Sequence, residues 1–159
     1  MSYVNNNLMA GEGITYQAKI HWAIFFPSIA CLVVATLLHV TGTVDSDKGA
    51  KVIANILIIF SIWLALKAFI YKISTELAIT NKRIIAKTGL IKRNTIELNH
   101  SKVESFAVNQ SILGRILGFG TITISGTGGV KNPILGIDSP LEFRNKAVLA
   151  IDIAQTGSN

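Results

Sequence analysis

The sequence predicts a membrane-spanning helical hairpin joined to an α+β, mostly β domain whose antiparallel sheets are closed by a carboxy-terminal helix. Three observations lead there. Two segments, Trp22 to Val40 and Val52 to Tyr71, hold most of the long aliphatic runs and almost no charge. From Ser74 the pattern changes to short stretches rich in Ile, Thr and Val separated by turn residues, as hairpins require. From Pro140 to Gln155 the apolar positions return to helical spacing. Half of the 159 residues are apolar, and setting the two long segments aside leaves enough chain for one small soluble domain. A large multidomain enzyme, a disordered chain and a disulfide scaffold are thereby excluded. The single cysteine, Cys31, can make neither an internal bridge nor a multi-cysteine metal site.

As helices, Trp22 to Val40 and Val52 to Tyr71 are roughly 28 and 30 Å long, close to the thickness of a bilayer's hydrocarbon core. The connection, Thr41 to Lys51, is short and polar, so the two must run antiparallel. Trp22 and Tyr71 then lie at one membrane face, the level that amphipathic rings favour. The expected division is a cytoplasmic arm over 1–21, the hairpin over 22–71, a cytoplasmic domain over 72–155 and a tail over 156–159. A signal peptide is the competing reading of the first segment, but only Lys19 precedes it as a strong cation and the apolar stretch is too long. Ser28-Ile29-Ala30-Cys31 lacks the leucine of a lipoprotein cleavage box.

Charge sets the orientation. The connection carries Asp45, Asp47, Lys48 and Lys51, which sum to zero, whereas from Lys67 onward twelve Lys and Arg face six acids, so the formal charge of +6 resides there. The positive-inside rule places that end, and both termini, in the cytoplasm. Within the spans, Asn55 and Ser61 are placed to bond to the other helix or to a neighbouring subunit. Lys67 can snorkel. Pro27 either kinks the first helix or is absorbed by packing.

The strands follow in order. Glu76 to Thr80 and Arg83 to Lys87 flank an Asn81-Lys82 turn, and Thr88-Gly89 turns into Leu90-Ile91-Lys92-Arg93, with Asn94 to Leu98 completing the third stretch. Val103 to Val108 and Thr121 to Ser125 alternate apolar with polar or small residues, as a sheet with one face on a core does. Between them Ile112, Leu113, Ile116 and Leu117 fall at helical spacing, with Gln110 or Ser111 to cap and Gly118 to stop the turn. Pro140 fits the first turn of the last helix, with Asp138 or Ser139 as its cap.

The succession Thr80-Asn81-Lys82-Arg83-Ile84-Ile85, Thr88-Gly89-Leu90-Ile91, Val103-Glu104-Ser105, Gln110 to Ile122 and Gly126-Thr127-Gly128-Gly129 resembles the bacterial pleckstrin-homology (PH) domain membrane proteins. Gly11-Glu12 and His21 ahead of a two-span hairpin resemble the same family's amino-terminal layout. The resemblance covers Gly11 to about Ile153. It implies a PH-like fold, two roughly orthogonal antiparallel sheets capped by a helix, and a symmetric homo-oligomer, since some of these proteins form rings. It supplies no catalytic residue.

Catalytic chemistry finds no purchase. Gly126-Thr127-Gly128-Gly129 with Lys131 misses the spacing of a phosphate-binding loop, and Pro133 stands where its helix would begin. His21, His39 and His100 are far apart, and Glu76, Glu97, Glu104 and Glu142 read as solvated faces. Neither a metal site nor a cofactor is implied. For anionic lipid the candidates are Lys82, Arg83, Lys92 and Arg93, near the membrane on adjacent hairpins; the plainer reading of these cations is topology and solubility. Nucleic acid is disfavoured because the cations lack interleaved aromatics. For contact between subunits the candidates are Asn55, Ser61, Ile112, Leu113, Ile116 and Leu117, although the last four serve equally to pack on the domain's own sheet. The expected function is that of an inner-membrane protein presenting a cytoplasmic interaction domain as a homo-oligomeric scaffold, with membrane lipids, other copies and other membrane proteins as partners. A lipid-headgroup sensor and a channel or transporter component are the alternatives.

Overall fold

The computed structural model describes residues 3–41, 48–90, 93–127 and 129–156. In chain order its elements are α1 (Tyr3–Asn6), β1 (Ile14–Ala18), α2 (Phe26–Val40), α3 (Lys48–Ser74), β2 (Glu76–Thr80), β3 (Arg83–Thr88), β4 (Asn94–Asn99), β5 (Val103–Asn109), α4 (Ile112–Leu117), β6 (Phe119–Gly126), β7 (Val130–Asp138) and α5 (Pro140–Thr156). Short 3-10 turns occupy Trp22–Phe25 and His100–Lys102. The chain divides into two compact units, one made of Met1–His21 with Ile73–Asn159, the other of Trp22–Lys72.

The first unit contains two antiparallel sheets, of order β1-β2-β3-β4 and β5-β6-β7, as a PH-like fold has. The sequence reading leaves β1 and β7 out, and both are edge strands. Ile14, Tyr16 and Ala18 alternate with more exposed neighbours. In β7, Pro133 pairs with Thr123 of β6, and a residue without an N–H is tolerated there because the strand lies at the sheet's edge. The segment read as an arm is thus partly built into the sheet.

Strands β2 and β3 are buried on both faces, which is why their sequence runs apolar without alternation. On one face Ala78 and Ile85 meet Val4 of α1, with Tyr3, Leu8 and Ile14 packed around them. On the other, Leu77, Ile79 and Ile84 belong to a core with Ile122, Ile124, Ile134 and Ile137, all almost fully buried. Helix α5 lies against β1, β2, β5 and β6. Its Phe143 is completely buried, with Tyr16 and Phe106 edge-on at 6.0 and 6.5 Å.

In the second unit α2 starts at Phe26 and places Pro27 in its first turn, where the missing N–H costs no helical bond. The Ser61 hydroxyl of α3 donates to the Ser28 carbonyl at 2.8 Å. Ala35 and Ala54, both fully buried, lie seven positions beyond Ser28 and before Ser61, the offsets that bring antiparallel helices face to face through small residues. Windows of both helices have mean hydropathy 2.2 and are only 17% and 11% buried, so both are long and apolar enough to cross a membrane.

Replacing Phe143 by Ala should destabilise the first unit by about 3–5 kcal/mol, because no neighbouring side chain can fill its site between the two sheets. Chemical denaturation of the two chains side by side measures it.

Candidate functional site

Strand register defines the two ends of the first unit. Ala18 pairs with Leu77, Leu77 with Ala86, and Ala86 with Ile96. Beyond that row lie both places where the chain passes to and from Trp22–Lys72, and also Gly89, Leu90 and Arg93 between β3 and β4. The opposite end carries the Asn81-Lys82 turn and the 3-10 turn at His100–Lys102.

This register separates the four cations predicted to meet lipid. Arg93 is exposed at the end where the chain crosses between units. Lys92 lies outside the described residues. Lys82 stands at the opposite end, where its ammonium donates to the Ala10 carbonyl at 2.8 Å. Arg83 is a correction: the residue is only 6% exposed and all three nitrogens of its guanidinium donate to acceptors within the chain. Its Nε and one terminal nitrogen donate to the two Glu12 carboxylate oxygens, each at 3.0 Å, and the other terminal nitrogen donates to Glu97 at 2.6 Å. The Asn7 carbonyl takes a fourth bond at 2.9 Å. Arg83 is opposite Asn99 in the β3–β4 ladder, so Glu97, two residues back on the same face, is its diagonal neighbour.

These bonds hold residues 7–13 onto the β2–β3 turn. Thr80 donates to Glu12 at 2.7 Å, the Met9 amide donates to the same carboxylate at 2.7 Å, and the Asn81 side chain accepts from Gly13 N while donating to Gly11 O. Burial alone would raise the Glu12 pKa. The hydrogen bonds from Met9, Arg83 and Thr80, with the charge of Arg83, outweigh it and hold the carboxyl below its ordinary value of 4.5. Arg83 is raised in turn, chiefly by its hydrogen bond to Glu12. Sequence reasoning saw Glu12 only as part of the amino-terminal layout that resembles the family, with no partner assigned to it.

Beside the Lys82 turn lies an open groove of about 680 Å³ lined by Asn81, Lys82, Asn99, His100 and Ser101 among others. His100 is buried with Nε2 2.9 Å from the Thr80 carbonyl. A carbonyl can only accept, so Nε2 carries the proton. The ring thus ties the β4–β5 corner to β2. Among the described residues, no group of three His, Cys, Asp or Glu is close enough to hold a metal ion.

The predicted subunit contacts also divide. Ser61 is buried and bonded within its own chain, whereas Asn55 is exposed. In α4, Ile112, Leu113, Ile116 and Leu117 are 82, 61, 75 and 38% exposed, so they do not pack on the domain's own sheet. The buried residue of that helix is Gly114.

The bacterial PH domain family matches residues 26–148, a span that includes both apolar helices and runs from there into α5. The chain belongs to the bacterial PH domain family. No curated protein and no solved structure matches it. In this bacterial PH domain protein the two apolar helices are inserted between β1 and β2, and β1 itself lies ahead of the matched span. A PH-like domain is suited to binding proteins or lipids, and its buried charges here serve to fasten the chain's own amino-terminal segment.

Two outcomes follow. A carboxylate whose pKa is depressed by folding contributes stability that is present above its ordinary value and is lost as pH falls through its folded value. Protection of the Ala78 and Ile85 amides from hydrogen exchange should therefore weaken as pH drops below about 4.5. Glu12→Gln should flatten that dependence and cost about 3 kcal/mol near neutrality, by leaving Arg83 short of a partner. Separately, a Cβ at position 114 would stand 2.6 Å from the Phe119 carbonyl oxygen, so Gly114→Ala should destabilise the domain by about 1–3 kcal/mol in thermal unfolding.

Proposed function

We propose that this chain is a two-span protein of the bacterial inner membrane that carries its PH domain on the cytoplasmic side as a homo-oligomeric interaction module, without catalytic activity. The observation that carries the reading is the surface of α2 and α3. Leu37, Val40, Ile56, Ile59, Phe60 and Leu66 are among many large apolar side chains there that stand largely exposed. The core helix of a soluble protein would bury such residues, and a contiguous apolar surface of this size is unstable in water. Hydrocarbon is the solvent that accommodates it. A second helix of the same kind argues against a lone cleaved leader.

Orientation rests on Lys67 and Lys72 at the carboxy-terminal end of the second span and on the basic domain that follows. Self-association rests on Asn55, whose amide lies exposed within α3 and would meet hydrocarbon unless a second copy offers a partner. Contact with anionic lipid is a narrower reading than the sequence offered, because Arg83 is internal and Lys82 is at the far end. Arg93, beside the points where the chain leaves the domain, is the described cation that favours it.

Cysteine placed at Ser46 in a Cys31→Ser chain should react with a membrane-impermeant thiol reagent in intact cells, and cysteine at Ser158 should not. The reverse pattern would overturn the orientation. Asn55→Cys should give disulfide-linked pairs in native membranes. A solubilised species of single-subunit mass across mild detergents, with no such pairs, would remove the oligomer.

A further inference from the structure

Helix α4 lies at the end of the domain from which the chain departs toward its apolar helices. Residues 19–21 run against the end of β7: the Asp138 amide donates to the Lys19 carbonyl at 2.9 Å, the His21 amide donates to the Gly136 carbonyl at 2.7 Å, and Ile20 bridges Ile137. Asp138 in turn pairs with Phe119, the first residue of β6, whose ring stacks on His21 at 5.3 Å between centroids. The carbonyl of Gly118, which caps α4, accepts from the Ser139 amide at 2.8 Å. The residue immediately before Trp22 is therefore in ring contact with the residue immediately after the cap of α4.

The amphipathic order of α4 is inverted. Its backbone is drawn onto β6 at Gly114, while Ile112, Leu113, Ile116 and Leu117 point away from the domain and Arg115 is exposed among them. Three devices hold the helix in that attitude. The Ser111 hydroxyl accepts from the Gly114 amide at 3.1 Å, the Gln110 amide donates to the Phe119 carbonyl at 3.0 Å, and Gly118 closes the helix with φ +79°. None of them uses an aliphatic side chain.

We propose that α4 seats Ile112, Leu113, Ile116 and Leu117 in the interfacial layer of the same bilayer that α2 and α3 cross, with Arg115 reaching the headgroups, so that the domain is pinned to the membrane at a second point. The inference rests on the two-span reading above. The chain leaves and re-enters the domain at this end, and the β3–β4 connection there adds a half-exposed Leu90 and the cation Arg93. Apolar side chains interleaved with cations are the composition of an interfacial helix. Charge favours lipid over a second copy: a two-fold contact through so short a helix brings two Arg115 cations together with no acid on α4 to offset them, whereas anionic headgroups supply the opposite sign.

The test uses the full chain with Cys31→Ser, a single environment-sensitive fluorophore on a new cysteine, and vesicles of neutral and anionic phospholipid containing a doxyl-labelled lipid as quencher. Labels at Leu113→Cys and Ile116→Cys should be quenched several-fold more than one at Asn81→Cys at the domain's opposite end, and comparably to one at Ile59→Cys in α3. Quenching at position 59 with positions 113 and 116 as unquenched as 81 would overturn the inference and leave the two-span reading standing. Absence of quenching at 59 would overturn that reading first. Disulfide formation between Leu113→Cys chains, unquenched by lipid, would assign α4 to a contact between copies and likewise overturn the proposal.

Discussion

The antiparallel pairing of Ile14–Ala18 with Glu76–Thr80 is the constraint on which the rest of the domain depends. The two strands are neighbours in the sheet but not in the chain, since all of α2 and α3 intervene. Closing so long a connection costs conformational entropy that grows only slowly with its length, so a compact local clamp can offset it. Glu12, Arg83 and Thr80 form that clamp, at the end of the sheet opposite the points where the chain leaves and re-enters it. With β1 docked, Val4 covers the outer face of β2 and β3, and both departures of the chain fall at one end of the sheet. The position of α4 beside His21 follows from the same pairing, because β1 continues past Ala18 to meet β7 at Ile20.

Arg83 illustrates how a buried charge is made tolerable. A guanidinium offers five donors in a fixed plane and cannot be neutralised, so burial demands acceptors arranged around it. Glu12 meets it with both carboxylate oxygens, Glu97 from the neighbouring strand takes another donor, and the Asn7 carbonyl takes a fourth. The acceptors come from two stretches of chain, residues 7–12 and strand β4. Their convergence requires the correct register of β1 and β4 at once, which makes the charge a means of fixing register as well as a contribution to cohesion.

Much of this was legible in the sequence and some was not, for identifiable reasons. Strands β2 to β6 announced themselves through Ile, Val and Thr between turn residues, and α4 and α5 through helical spacing, with a cap at Ser111 and a first-turn proline at Pro140. Strand β1 carried a readable alternation of Ile14, Tyr16 and Ala18, but its short length ahead of a long apolar helix made it look like an arm. Pro133 and Gly136 interrupt β7, and only its place at a sheet edge makes them acceptable. Arg83 and Lys82 looked like surface cations because the groups that engage them lie 71 and 72 positions away. No local pattern encodes a contact at that separation. Ser61 was legible as a polar residue needing a partner, and its partner is the backbone of the facing helix.

Helix α4 marks where pattern reading reverses its meaning. Apolar positions at helical spacing ordinarily identify the face that packs on the domain, and in α5 they do so at Phe143, Ala147 and Ala150. In α4 the closest approach is made by a glycine, through backbone contact with Phe119, and the apolar residues lie on the far side. Attachment of the helix through its caps and backbone leaves its four aliphatic side chains without a part in the cohesion of the fold. Their hydrophobic free energy is therefore available to whatever surface meets them, and the rigid mounting at Ser111, Gly114 and Gly118 means that little further ordering entropy would oppose such a contact.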